Sequence, residues 1–137
     1  MPSLCAQLAY PQHACTEEEA GSLLEKVGLE YLWERQAAFV GLDQGTEAPP
    51  LKLSGGELQC LAIARVLHAR PDIVLLDEAF SAVSAEVEAH LMCALHDAEI
   101  TLVMVSHREP RIRHTAAVLT LDRDVPNGWI LEDVVAT

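Results

Sequence analysis

The sequence predicts an α/β fold, with parallel strands set beside a small helical unit, and three observations carry that expectation. Ile73-Val74-Leu75-Leu76 and Thr101 to Val105 are two apolar runs of strand length, the second rich in β-branched residues. Between them Ser84 is a plausible N-cap for a helix with Val87, Leu91 and Leu95 on one face, so the order strand, helix, strand makes a parallel crossover. The third observation is that the N-terminal part of the chain shows helical rather than alternating spacing.

Taken in order, Thr16 followed by Glu19 is a capping-box pattern, and Ala20, Leu23, Leu24 and Val27 make one apolar helical face that ends at Gly28. This predicts a helix over 17–27. A shorter helical pattern at Leu29, Leu32 and Trp33 leads into 41–50, where Gly, Asp, Thr and paired prolines have the composition of a loop. After Gly56, the residues Leu58, Leu61, Ala62, Arg65 and Val66 keep helical spacing until Arg70-Pro71, where proline cannot continue a helix. The run 73–76 is then expected as a buried strand. Val118 to Leu121 and Trp129 to Leu131 predict two further short strands around the Pro126-Asn127-Gly128 turn.

At 137 residues, 50% of them apolar, the chain can bury one real core. Its longest apolar runs fall far short of the roughly 20 residues that a membrane helix needs, so no direct membrane insertion is expected. The N-terminus lacks the pattern of a secretory signal, which points to a folded domain in a reducing compartment. Cys5, Cys15, Cys60 and Cys93 are widely spaced, without a Cys-x-x-Cys pair, and read as free thiols rather than as a zinc or disulfide framework. A net charge of −12 with no basic block argues against nucleic acid and anionic lipid as partners.

Three motifs carry chemistry. Leu53-Ser54-Gly55-Gly56-Glu57 stands directly before a predicted helix, whose first turn offers N–H groups and a partial positive charge to an anion; Ser54 adds a hydroxyl donor. Asp77 and Glu78 end a strand of the predicted parallel sheet, where ligands of such sheets bind. There one carboxylate can support Mg²⁺ and a second can orient the attacking water of a phosphoryl transfer. Val105-Ser106-His107 closes the neighbouring strand, about 4.8 Å away in a parallel pair, which places His107 to contact a γ-phosphate. Each motif alone has a bland reading as a helix start, a solvated strand end or a surface histidine.

Together with Ala64-Arg65, Pro71 and Ser106-His107-Arg108, these motifs occur in the order and spacing of ABC ATPase domains, and the chain resembles that family. Ser81-Ala82-Val83-Ser84 followed by Glu86-Val87-Glu88 resembles subfamily D, the peroxisomal fatty-acyl half-transporters and their relatives. Leu4, Gln7, Leu8, Tyr10 and Pro11 look like the segment after the Q-loop there, and Gly128-Trp129 like its closing strand. The resemblance implies that Ser54, Gly55, Gly56 and Glu57 are the signature that touches ATP bound to an opposite subunit, that Asp77 supports Mg²⁺ and that Glu78 and His107 are catalytic. It also implies that Ser81 to Ser84 form a D-loop across a dimer. Two positions depart from the pattern: Cys60 replaces an arginine and Phe80 a threonine.

No Gly-x-x-x-x-Gly-Lys-Ser/Thr occurs in the sequence, and its only lysines are Lys26 and Lys52. The phosphate-cradling loop of the family is therefore not in this chain, and poor ATP binding by the chain alone is expected. The fold expectation becomes a partial P-loop NTPase core of ABC type without its Walker A half. Residues 1–137 are read as the C-terminal part of one nucleotide-binding domain. About 12–69 would form a helical subdomain with the signature helix, and about 70–137 the Walker B to switch-histidine core. Two functions stay open. One is a partial ATPase domain, from a truncated or split gene, that energises transport at the cytosolic face of a membrane, with peroxisomes and fatty acyl cargo implied by the subfamily. The other is a non-catalytic module lending its signature in trans to a P-loop-bearing ABC domain or transmembrane half-transporter subunit. An ATPase of the chromosome-maintenance type fits less well, because Ala62-Ile63-Ala64-Arg65 looks transporter-like and no coiled-coil heptads precede the signature.

Overall fold

The computed structural model describes residues 4–10, 14–40, 52–107 and 115–134, with the backbone alone at 36–40. The Gly- and Pro-rich stretch expected as a loop at 41–50 lies outside the described residues. Two compact units result, residues 1–104 and 105–137.

The first unit opens with α1 (Leu4–Leu8), a short helix that the sequence reading missed. With five residues it is too short to show a period, and its order comes from burial of Leu4 and Leu8. Helix α2 (Glu17–Lys26) starts from the expected box: Thr16 Oγ1 accepts the Glu19 N–H, and the Thr16 N–H donates to Glu19 Oε2 at 2.8 Å. Ala20, Leu23 and Leu24 are buried along one face. Gly28 then turns the chain at φ +70°, a left-handed conformation that L side chains avoid, and α3 (Tyr31–Val40) begins three residues later.

Helix α4 (Gly55–Ala69) is the spine of this unit, burying Cys60, Leu61, Ile63, Ala64 and Leu67. It stops at Arg70, which takes the left-handed conformation and returns its N–H to the Val66 carbonyl before Pro71. Arg65 reaches back across 58 positions and donates from Nε to the Gln7 carbonyl at 2.7 Å, tying the end of α1 to α4. Strand β1 (Ile73–Asp77), α5 (Ala85–Asp97) and β2 (Thr101–Val105) follow as the crossover. The two strands pair in parallel, starting together where the Thr101 N–H donates to the Asp72 carbonyl at 2.9 Å.

One expectation is corrected. Strand β1 is not a buried strand: Leu76 faces the core, but Ile73 is 61% and Leu75 77% exposed, and Val103 beside them on β2 is 49% exposed. The α/β packing covers one face of the two-stranded sheet and leaves the other open. The apolar run could not reveal this, because a strand covered on one face and one covered on both read alike when all residues are apolar.

In the second unit, β3 (Ala117–Leu121) pairs antiparallel with β4 (Trp129–Asp133), Leu119 standing opposite Leu131. Gly128 closes the turn at φ +75° and accepts the Asp122 N–H at 3.0 Å. Both expected strands are present.

Candidate functional site

The segment from Ser54 is shaped by one reciprocal cap. Ser54 holds an extended backbone, its Oγ accepts the Glu57 N–H at 3.2 Å, and its own N–H donates to Glu57 Oε2 at 2.6 Å. This Ser-x-x-Glu box starts α4 at Gly55 and leaves the N–H groups of Gly55 and Gly56 ahead of the helical ladder. A second and a third group close on the same carboxylate from α3. The Tyr31 hydroxyl donates to Glu57 Oε1 at 2.5 Å, and Arg35 Nη1 lies 3.6 Å from the same oxygen. The Tyr31 and Ser54 hydrogen bonds hold the Glu57 carboxyl down to about 2, while partial burial, reinforced by the bond to Glu57, pushes the Tyr31 phenol up to about 12. Glu57 is thus engaged within the protein, a use that the motif letters did not indicate.

The 81–84 loop joins β1 to α5 and is folded tightly by its own backbone. The Ser81 N–H donates to the Glu78 carbonyl at 3.1 Å and the Val83 N–H to the Phe80 carbonyl at 3.3 Å. Phe80 and Val83 are buried and anchor the loop, and Ser84 caps α5 by accepting the Val87 N–H at 3.3 Å.

Gln59, which the sequence reading did not single out, binds this loop to α4. Its Nε2 donates to Ser81 Oγ at 2.9 Å and to the Glu78 carbonyl at 3.4 Å, and its Oε1 accepts the Ala82 N–H at 2.9 Å. Gly56 completes the junction, since a Cβ placed there would stand 3.0 Å from the Ala82 carbonyl oxygen. No local signal could have found Gln59, because its partners lie 19 to 23 positions away and are brought near only by the crossover. The groove beside the junction, about 610 Å³, is lined by Gly28, Tyr31, Gly56, Glu57, Val83 and His90 among others.

Asp77 is exposed at the end of β1, and Glu78 is half-buried. Glu78 sits at φ +49°, unusual for a side chain with a Cβ, so the chain reverses directly after the strand and enters the 81–84 loop. The structure therefore brings Ser54 to Glu57, Glu78 and Ser81 to Ser84 into one connected set. His107 is exposed and belongs to the 105–137 unit. Cys60 and Phe80, which depart from the family pattern, are both buried in the core of the first unit.

For a divalent cation the donor set is small. Among the described residues no group of three or more His, Cys, Asp or Glu could hold a metal ion. Mg²⁺ commonly binds one or two carboxylates together with substrate phosphates and waters, so Asp77 fits such a cation only in company with a nucleotide.

An α/β sheet joined to a helical layer, with a Ser-Gly-Gly-Glu helix start clamped to the loop after an acidic strand end, defines part of an ABC-type NTPase core. Comparison with known proteins agrees. The ABC transporter family profile matches residues 7–81. ATP-binding cassette sub-family D member 1 of Drosophila melanogaster is 36% identical over 127 residues, which cover 88% of this chain and 17% of that protein. Sub-family D member 3 of Homo sapiens is 34% identical over 123 residues, covering 85% and 18%. A bacterial Atm1-family ABC exporter with ATP bound superimposes with a TM-score of 0.66 at 28% identity, over 85% of this chain and 20% of that one. The chain belongs to the ABC transporter family, as part of an ATP-binding domain, and spans about a fifth of the length of these relatives.

Proposed function

We propose that the chain is the portion of an ABC transporter ATP-binding domain that presents Ser54 to Glu57 to an ATP molecule held by a P-loop-bearing ABC domain. The observation that carries this reading is the Gln59 clamp. The two loops that the family resemblance assigns to a nucleotide shared between subunits, 54–57 and 81–84, are hydrogen-bonded into one unit here. Such preorganisation is what catalysis in trans requires, because a rigid donor array need not reorganise when the triphosphate arrives.

In the completed site the Ser54 hydroxyl and the N–H groups of Gly55 and Gly56 would donate to the γ-phosphate, and Ser81 and Ser84 would face the partner across the dimer. At the other composite site of such a dimer, the one that needs a P-loop on the same side as the acidic strand end, Asp77 would help hold Mg²⁺, which supplies charge neutralisation at the phosphates. Glu78 would accept a proton from the attacking water, and His107 would hold a γ-phosphate oxygen. With no P-loop and a net charge of −12, the chain alone binds ATP poorly. In the cell we place it at the cytosolic face of a membrane beside a transmembrane half-transporter subunit. No helix among the described residues is long and apolar enough to cross a membrane. Peroxisomes as the site and fatty acyl compounds as the cargo are what the resemblance to subfamily D implies.

The test is ATP binding and hydrolysis by the purified chain alone, then mixed with a P-loop-bearing ABC domain whose own signature serine is replaced. The expected result is no turnover by either component and Mg²⁺-dependent turnover by the mixture. Tight Mg-ATP binding by the chain alone, or a mixture as silent as its parts, would overturn the proposal.

A further inference from the structure

Glu57 raises a question that the cap alone does not answer. A capping box needs only one carboxylate oxygen, and Oε2 supplies it through the 2.6 Å bond from the Ser54 N–H. The other oxygen receives two groups from a different helix, the Tyr31 hydroxyl at 2.5 Å and Arg35 Nη1 at 3.6 Å. Tyr31 and Arg35 stand four residues apart on α3, hence on one face, and both converge on a single atom 26 and 22 positions later in the chain.

We propose that Tyr31 and Arg35 are positioning residues for the Ser54–Glu57 loop: by holding Glu57 Oε1 they pin the start of α4 to α3. Two consequences follow from charge and geometry. A carboxylate in the first turn of α4 would repel a triphosphate approaching Ser54, and the guanidinium and phenol offset that charge. The bond path also runs unbroken from α3 through Glu57 to the Ser54 backbone, so a displacement of α3 moves the N–H groups at the head of α4. Helix α3 itself is tied to α2 through the Gly28 turn, where the Leu29 N–H donates to the Leu24 carbonyl at 2.8 Å. The geometry of this latch stands by itself, while its use on a nucleotide rests on the function proposed above.

The experiment separates the two. Tyr10 and Tyr31 are the only tyrosines, so in a Tyr10→Phe chain tyrosinate absorbance reports Tyr31 alone. The ionisable groups facing that phenol are Glu57, Arg35 and Cys60, and Glu86 and His90 line the same groove. At pH about 10.5 an ordinary phenol is roughly three-quarters ionised. With circular dichroism showing the fold intact, Tyr31 should remain almost wholly protonated, and adding Glu57→Gln should release it. At neutral pH, Tyr31→Phe should speed amide exchange at Ser54 by about tenfold, the scale of one lost hydrogen bond to a charged group.

Tyr31→Phe and Arg35→Ala should lower turnover of the mixed assay by about tenfold, with Arg35→Lys restoring part of it. Ordinary ionisation of Tyr31 together with unchanged exchange at Ser54 overturns the latch. A latch seen by both probes alongside undiminished turnover of the variants overturns the positioning role. A wild-type chain that gives no turnover with its partner overturns the function proposed above and with it the use on a nucleotide, and leaves the latch to be decided by titration and exchange.

Discussion

The side-chain amide of Gln59 meets Ser81 across 2.9 Å, Nε2 donating to Oγ, and this contact sets how the loop after β1 sits against α4. The same amide also accepts the Ala82 N–H at 2.9 Å, so one side chain replaces the ladder that a loop lacks. Replacing it with Leu keeps the volume but removes these bonds and the one to the Glu78 carbonyl at once. Gln59→Leu should destabilise the fold by about 1–3 kcal/mol in urea unfolding. It should also speed exchange at the Ala82 amide. An unchanged Ala82 exchange rate would show that the loop holds itself.

The paired glycines separate by their surroundings. A Cβ at Gly56 would stand 3.0 Å from the Ala82 carbonyl oxygen, whereas one at Gly55 would meet the Ala82 Cβ at an ordinary 3.4 Å. Gly55→Ala should be near neutral, the gain in helix propensity offsetting mild crowding. Gly56→Ala should cost about 1–3 kcal/mol despite the same gain, because backbone has to move. Thermal melts of the two variants check the order, and equal melting temperatures would remove Ala82 as the reason.

At position 78 the usual ranking of small residues should invert. Glu78 is held at φ +49°, so Ala inherits the strain of a Cβ in the left-handed region and Gly does not. Glu78→Gly should unfold at higher denaturant than Glu78→Ala, by roughly 1 kcal/mol. Chevron or equilibrium unfolding of the pair decides it.

The pH profile of stability has a component on each side of neutrality. Glu57 is lowered in the fold from 4.5 to about 2, so its contribution is complete above the unfolded value and is lost as pH falls through that interval. Tyr31 is raised from 10.0 to about 12, so its contribution is complete below the unfolded value and is lost as pH rises between those values. Glu57→Gln should flatten the wild-type acid limb below pH 4.5 and, with the acceptor changed, shrink the alkaline loss as well. Unfolding free energies of both chains across the range test this, and parallel curves would argue against the pairing.

The open sheet face should make the chain associate. Ile73, Leu75 and Val103 are 61%, 77% and 49% exposed on adjacent parallel strands, a contiguous apolar surface of the kind that drives self-association. Light scattering should show concentration-dependent growth. Leu75→Lys should reduce it while leaving the melting temperature within a few degrees, since Leu75 contributes little to the core.

The sequence by itself determined the elements whose signals are local. Thr16 with Glu19 and Ser84 before an amphipathic run each place a helix start, because a capping side chain and the N–H that it satisfies lie within three residues, and the apolar spacing after Gly56 places α4. Arg70-Pro71 likewise marked the end of α4, and the motif order marked the family. Tertiary structure alone decided which face of β1 is covered, since an all-apolar strand carries no alternation to read. It also decided what the polar side chains touch. Gln59 meets Ser81, Glu57 meets Tyr31, and Arg65 meets Gln7 across 22, 26 and 58 positions, and no period or spacing encodes contacts that packing creates.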